Sequence, residues 1–133
     1  MTVVSSINIF ARDLDRLVSF YADLFGLAEK QDQRGPIYRA LDGGGVAIGF
    51  NAVAAYRLLG LDDLRTVAGA RSMLTFEVED AGDVERLTLQ AEALGAVIVK
   101  APYDTAYGSR QSVAVDPEGN VFRINAFKTS AAS

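Results

Sequence analysis

The chain has 133 residues, 50% of them apolar and 23% charged, and a net charge of −4. That is the size and balance of one globular domain, and an acidic chain with scattered arginines argues against nucleic acid as a partner. Histidine and cysteine are absent, which removes the usual near-neutral acid–base group, imidazole and thiolate metal ligands, a thiol nucleophile and any disulfide.

The opening MTVVSSINIF lacks a basic start and a long apolar stretch, so no secretory signal is expected. No apolar run approaches the roughly 18 residues of a membrane span. A cytoplasmic protein without a membrane partner is the expectation.

From Ile7 the chain reads as a short alternating strand, with Ile7, Ile9 and Ala11 packing inward and Ser6, Asn8 and Phe10 on the other face. Asp13 then stands as a helix N-cap. Leu14, Leu17, Val18, Tyr21, Leu24 and Phe25 recur at helical spacing, and Gly26 stops the pattern. LDGGGVAIGF (41–50) reads as a turn into a strand, with Ile48 and Phe50 inward and Ala47, Gly49 and Asn51 opposite. Its glycines are a hairpin turn. A phosphate loop would carry Lys-Ser/Thr and open a helix. A short helix is expected within residues 56–64.

The pattern then recurs. LTFEVEDAGDVERLTLQAEALGA (74–96) repeats the alternating segment, with Leu74, Phe76 and Val78 inward and Met73, Thr75 and Glu77 opposite. Asp80 marks the hinge and Asp83 the expected cap. Val84, Leu87, Ala91 and Leu94 give the helical stripe, and Gly95 the stop. KAPYDTAYGSRQ (100–111) carries Tyr103, Tyr107 and Arg110, residue types common at binding surfaces. DPEGNVFRI (116–124) matches the earlier turn and strand, Asp116 opposite Asp42 and Gly119 opposite Gly45. It places Phe122 and Ile124 inward and Val121, Arg123 and Asn125 opposite. Pro and Gly at the second and fourth positions of Asp116–Gly119 suit a type I turn.

A duplicated βαβββ unit, with RDLDRLVSFYADLFGL and DPEGNVFRI as its local strings, resembles the vicinal oxygen chelate superfamily. That group includes glyoxalase I, extradiol dioxygenases, fosfomycin-inactivating enzymes and bleomycin-type resistance proteins. The resemblance implies an α+β fold of two tandem βαβββ modules, about 3–52 and 71–128 with a connector at 53–70, forming a cup-shaped curved mixed sheet. It also implies a homodimer. Metal-using members carry four ligand positions, which fall here on Ser6, Gly49, Met73 and Arg123. These are a hydroxyl, no side chain, a thioether and a fixed cation, unsuited to a divalent metal. No cofactor is therefore expected. Carboxylates elsewhere, Asp62-Asp63 or Glu77 with Glu79, are the remaining option for a cation.

The implied function is metal-free binding of a drug or metabolite, as in the bleomycin-resistance branch. The contributing residues would be Ser6, Asn8, Phe10, Gly49, Met73, Thr75, Glu77, Tyr103, Tyr107, Arg110 and Arg123, with Tyr38, Tyr56 and Arg71 as weaker candidates. Arg123 would clamp an anion or stack on a ring, or else pair with Glu77. The alternative is a lyase, isomerase or dioxygenase relative working without metal, with Glu77 as base. A third reading is an interaction domain without a ligand.

Overall fold

The structure, a computed structural model, describes residues 1–65 and 69–127. Lys128, the last residue of the expected second module, lies outside them. The chain divides into two units, residues 1–69 and 70–133.

In the first unit, β1 spans Ser6–Ala11 and α1 Leu14–Phe25. Between them the Asp13 carboxylate accepts the backbone N–H of Arg16 at 3.2 Å, satisfying a helix donor that has no intrahelical partner. Gly26 closes the helix at φ 65°, where a Cβ would be strained. The apolar stripe buries Leu17, Val18, Tyr21 and Leu24 as expected, and Phe20 with them. Each fully buried aliphatic side chain contributes about 1.5–3 kcal/mol.

The sheet continues with β2 (Tyr38–Asp42) and β3 (Ala47–Ala52), in the order β1-β3-β2, with β1 parallel and β2 antiparallel to β3. The triglycine run is the β2–β3 hairpin turn. Gly43 N–H donates to Val46 O at 2.9 Å, and Gly44 N–H to Asp42 Oδ1 at 2.9 Å. A short helix α2 (Ala54–Leu58) and a 3-10 turn at Asp62–Leu64 follow, close to the expected 56–64 segment. One expectation fails on β1. Ile7 is 42% exposed, because α1 packs chiefly against β2 and β3 and leaves the start of β1 bare.

In the second unit, β4 (Leu74–Glu77), α3 (Ala81–Ala93), β5 (Val97–Asp104), β6 (Ser109–Val115) and β7 (Val121–Phe127) form a four-stranded sheet in the order β4-β7-β6-β5. Here β4 runs parallel to β7, the other pairs are antiparallel, and α3 packs on one face. The cap of α3 is Asp80, not Asp83. Asp83 sits one turn in, and its carboxylate accepts the Asp80 N–H at 3.4 Å, the reciprocal half of a capping box. Leu94, expected in the stripe, lies past the helix end and is 36% exposed. The β6–β7 turn is built on Asp116, 2% exposed. Its Oδ1 accepts Glu118 N–H at 2.8 Å and Asn120 N–H at 3.0 Å, and Gly119 N–H closes onto Asp116 O at 3.0 Å.

The two units share one plan. The first keeps only a trace of the strand corresponding to β5, a single bridge between Glu29 and Leu41. Around that bridge Arg39 takes over. Its Nη2 donates to Glu29 at 2.6 Å, its Nε to the same carboxylate at 3.0 Å and its Nη1 to Asp15 at 2.9 Å. A charged clasp thus joins β2, α1 and the segment before β2 where a longer ladder would have done so.

Candidate functional site

Ladder register makes the two sheets comparable residue by residue. Asn8 faces Gly49 in the β1–β3 ladder, and Thr75 faces Arg123 in the β4–β7 ladder. One position further along, Phe10 faces Asn51 and Glu77 faces Asn125. On the third strand Tyr38 pairs with Asn51 and Gln111 with Asn125. The same grid therefore occurs twice, on the sheet face away from the helix, with different side chains on it.

In the first unit the grid is neutral and filled. Asn51 Nδ2 donates to Asn8 Oδ1 at 3.1 Å, and Asn8 Nδ2 to Ser6 Oγ at 3.1 Å. Phe10 stacks on Tyr56 with ring centroids 4.2 Å apart, and Arg65 lies 6.0 Å above the Tyr56 ring. Gly49 has no room for a side chain. A Cβ there would stand 2.5 Å from the Tyr38 hydroxyl, 2.9 Å from Tyr38 Cε1, and against Asn8 Oδ1. Beside it a cavity of about 400 Å³ is lined by Ser6, Lys30, Tyr38 and Asp42 among others.

In the second unit the grid is charged. Arg123 Nε donates to Thr75 Oγ1 at 2.6 Å, and Nη1 lies 3.4 Å from Gln111 Oε1 and 3.5 Å from the Tyr107 hydroxyl. Gln111, 4% exposed, is the hub. Its Nε2 donates to Tyr103 Oη at 2.8 Å and its Oε1 accepts from Tyr107 Oη at 2.9 Å. Lys100 covers the Tyr103 ring with its Nζ 3.8 Å from the centroid, within cation–π range. The Glu77–Arg123 salt bridge, the alternative to an anion clamp, is not among the ion pairs of the described residues. Glu77 instead accepts Asn125 Nδ2 at 2.7 Å, and Arg123 is held one row away by Thr75. Among the described residues neither Arg123 nor Glu77 makes an ion pair. Asn125 Oδ1 is buried without a hydrogen-bond partner, a cost of about 1–3 kcal/mol.

Of the eleven sequence candidates, Ser6, Asn8, Phe10 and Gly49 come together in the first unit. Thr75, Glu77, Tyr103, Tyr107 and Arg123 come together in the second. Met73 is 43% exposed and lies just before β4. Arg110 does not join them. Its neighbour Gln111 points to the grid, so Arg110 points to the helix face, where it bonds Glu85 of α3 at 2.7 Å and reaches Asp104 at 3.4 Å. The Glu85 hydrogen bond raises its pKa further, and its role is to tie α3 to β6.

The positions that a chelating relative would use do not suit a divalent cation. Tyr38 and Asn8 close over Gly49, and Arg123 brings a fixed positive charge. Asp62, offered as an alternative ligand, is taken by Arg57 and Arg65. Among the described residues no three acidic side chains converge.

Two sheets of this order, each with a helix on one face, define a small α+β protein of duplicated β-α-β modules. Residues 5–125 match the family described as glyoxalase-like domain, and the chain belongs to that family and so to the vicinal oxygen chelate superfamily. It is similar to a glyoxalase/bleomycin resistance protein/dioxygenase family enzyme from Burkholderia phytofirmans PsJN, with 44% identity over 93% of this chain and 98% of the other and a TM-score of 0.91. A lactoylglutathione lyase from Agrobacterium tumefaciens shares the fold at 20% identity, over 95% of this chain and 94% of that one, with a TM-score of 0.71. An uncharacterized protein of Mycolicibacterium smegmatis (strain ATCC 700084 / mc(2)155) is 28% identical over 117 residues, 88% of this chain and 87% of its own length. Among the described residues no helix is long and apolar enough to cross a membrane.

Proposed function

We propose that the chain is a metal-free small-molecule-binding protein, working as a homodimer, whose ligand docks on the Arg123 face of the second unit. The observation that carries this reading is Arg123 itself. It is a permanent cation on a strand, among hydroxyl, amide and aromatic groups, with no carboxylate ion pair among the described residues. A guanidinium so placed is matched to a carboxylate or phosphate, or to the face of a flat ring. Sequestering a drug or metabolite needs only such complementarity and no acid, base or metal, which fits a chain without histidine or cysteine.

A second reading is favoured by the Asn125–Glu77 bond, which fixes a carboxylate on the same face. There Glu77 would act as a general base toward a ligand clamped by Arg123.

A thermal-shift panel of anionic and aromatic metabolites and antibiotics, run beside metal analysis of the purified protein, tests the proposal. Hits should raise the melting temperature of the wild type by mass action, and the rise should shrink at least severalfold in Arg123→Ala. Metal should stay far below one ion per chain. Stoichiometric metal, or hits indifferent to Arg123, would overturn it. Turnover of a hit, abolished in Glu77→Gln, would move the assignment to the second reading.

A further inference from the structure

Resting on that binding reading, we infer that the ligand is dipolar, with an acidic group for Arg123 and a hydrogen-bond-donating, preferably cationic, group for Glu77, separated on the scale of the roughly 8 Å between the two backbone positions. Four observations lead there.

First, two opposite charges share one sheet face, yet each is kept from the other. Arg123 is held across the ladder by Thr75, and Glu77 across the next rung by Asn125. A chain that needed only internal neutralisation would let the two meet.

Second, the spacing is set by backbone. Glu77 lies one strand over and two residues along from Arg123, on the same side of the pleat. Strands about 4.8 Å apart with a rise of about 3.3 Å per residue put the two backbone positions about 8 Å apart. An α-amino acid, with its charges on adjacent carbons, is too short to reach both. A ligand with a ring or a four-to-five-atom spacer between its charged ends is not.

Third, the rim is aromatic. The Tyr107 ring sits 6.3 Å from Phe127, which is 54% exposed, and the Tyr107 hydroxyl reaches both Arg123 and Gln111. A flat spacer would find ring faces there.

Fourth, Asn125 is 3% exposed, and its Oδ1 has no partner while its Nδ2 is committed to Glu77. The amide must present nitrogen to the carboxylate, since two acceptors would repel. The unsatisfied oxygen is retained on the amide that holds Glu77, as expected where orienting Glu77 matters more than local satisfaction.

The corresponding rungs of the first unit show the contrast. There Phe10 and Gly49 occupy the positions of Glu77 and Arg123, so that face carries neither charge.

Isothermal titration of the intact protein at low salt with three isosteric probes tests the inference. 4-(Aminomethyl)benzoate carries both charges, 4-methylbenzoate only the acid, and 4-methylbenzylamine only the amine. The dipolar probe should bind at least tenfold more tightly than either analogue. Arg123→Gln should reduce its affinity to that of the amine, and Glu77→Gln to that of the acid. Arg123→Lys and Glu77→Asp should restore part of each loss, and unchanged melting temperatures would confirm that the variants fold. Equal binding of the dipolar probe and 4-methylbenzoate by the wild type, a ratio unmoved by Glu77→Gln, or no binding of the dipolar probe at millimolar concentration would overturn the inference. The broader binding reading would survive any of these if Arg123-dependent hits from the thermal-shift panel persist. It falls separately, if that dependence is absent.

Discussion

Gly49 shows how one residue decides what a sheet face can do. It is buried, its backbone lies in an ordinary strand, and what demands glycine is the space above it. The Tyr38 ring and Asn8 close over the position. Gly49→Ala would force both aside, and Asn8 is tied to Ser6 and Asn51. The expected loss is about 1–3 kcal/mol of stability, read as a lower urea midpoint with unchanged slope. In an Asn8→Ala background the penalty should shrink, and a penalty of the same size there would place the crowding elsewhere. At this scale the sequence was partly legible. Strand alternation assigned Asn8, Thr75, Arg123 and Asn125 to the correct face. It did not single out Gln111, although the DPEGN turn contained the information. Counting back from a hairpin closed at Asp116–Gly119 pairs residue 111 with 125 and residue 110 with 126. Gln111 then faces the grid and Arg110 the helix. Tyr103 offered no such handle, because register shifts along the β5–β6 ladder break the alternation before it.

At the scale of elements, the two modules differ most where the first has lost a strand. The βαβββ reading expects three strands after each helix. Nothing local separates a full strand from a single bridge at Glu29, since the choice depends on partners distant in sequence. What replaces the ladder is the Arg39 clasp, and it carries a pH signature. The Arg39 hydrogen bond, assisted by the charges of Arg39 and Arg34, holds the Glu29 carboxyl below its ordinary value of 4.5, against the opposing effect of burial. A carboxyl whose pKa is lower folded than unfolded contributes stability that is complete above the unfolded value. That contribution is lost as pH falls through the folded one. Urea unfolding should therefore show wild type and Glu29→Gln diverging above about pH 5, with the wild type more stable, and converging as the pH drops below about 4. Arg39→Met should abolish the convergence by removing its cause. A constant gap between wild type and Glu29→Gln down to pH 3 would mean that the clasp contributes packing alone.

For the whole molecule, the duplication was the most legible feature because it is fixed by covalent spacing. Asp42 and Asp116 are 74 residues apart, and both accept the N–H two residues on, at 2.9 and 2.8 Å. Gly49 and Arg123 keep the same separation and occupy the same rung of their ladders. Composition makes an equally global statement. Without histidine or cysteine, no side-chain type present ordinarily changes charge between the carboxylate range and the tyrosine and lysine range. The resolved shifts move further from neutrality, with Glu29 downward and Arg39 and Arg110 upward. Because the slope of stability with pH equals the difference in bound protons between unfolded and folded chains, the unfolding free energy should be flat between about pH 6 and 7.2. Affinity for 4-(aminomethyl)benzoate, whose own groups titrate outside that window, should be flat there too. A slope in stability would reveal a group displaced into the neutral range by its surroundings. A slope in affinity alone would locate that group on the binding face.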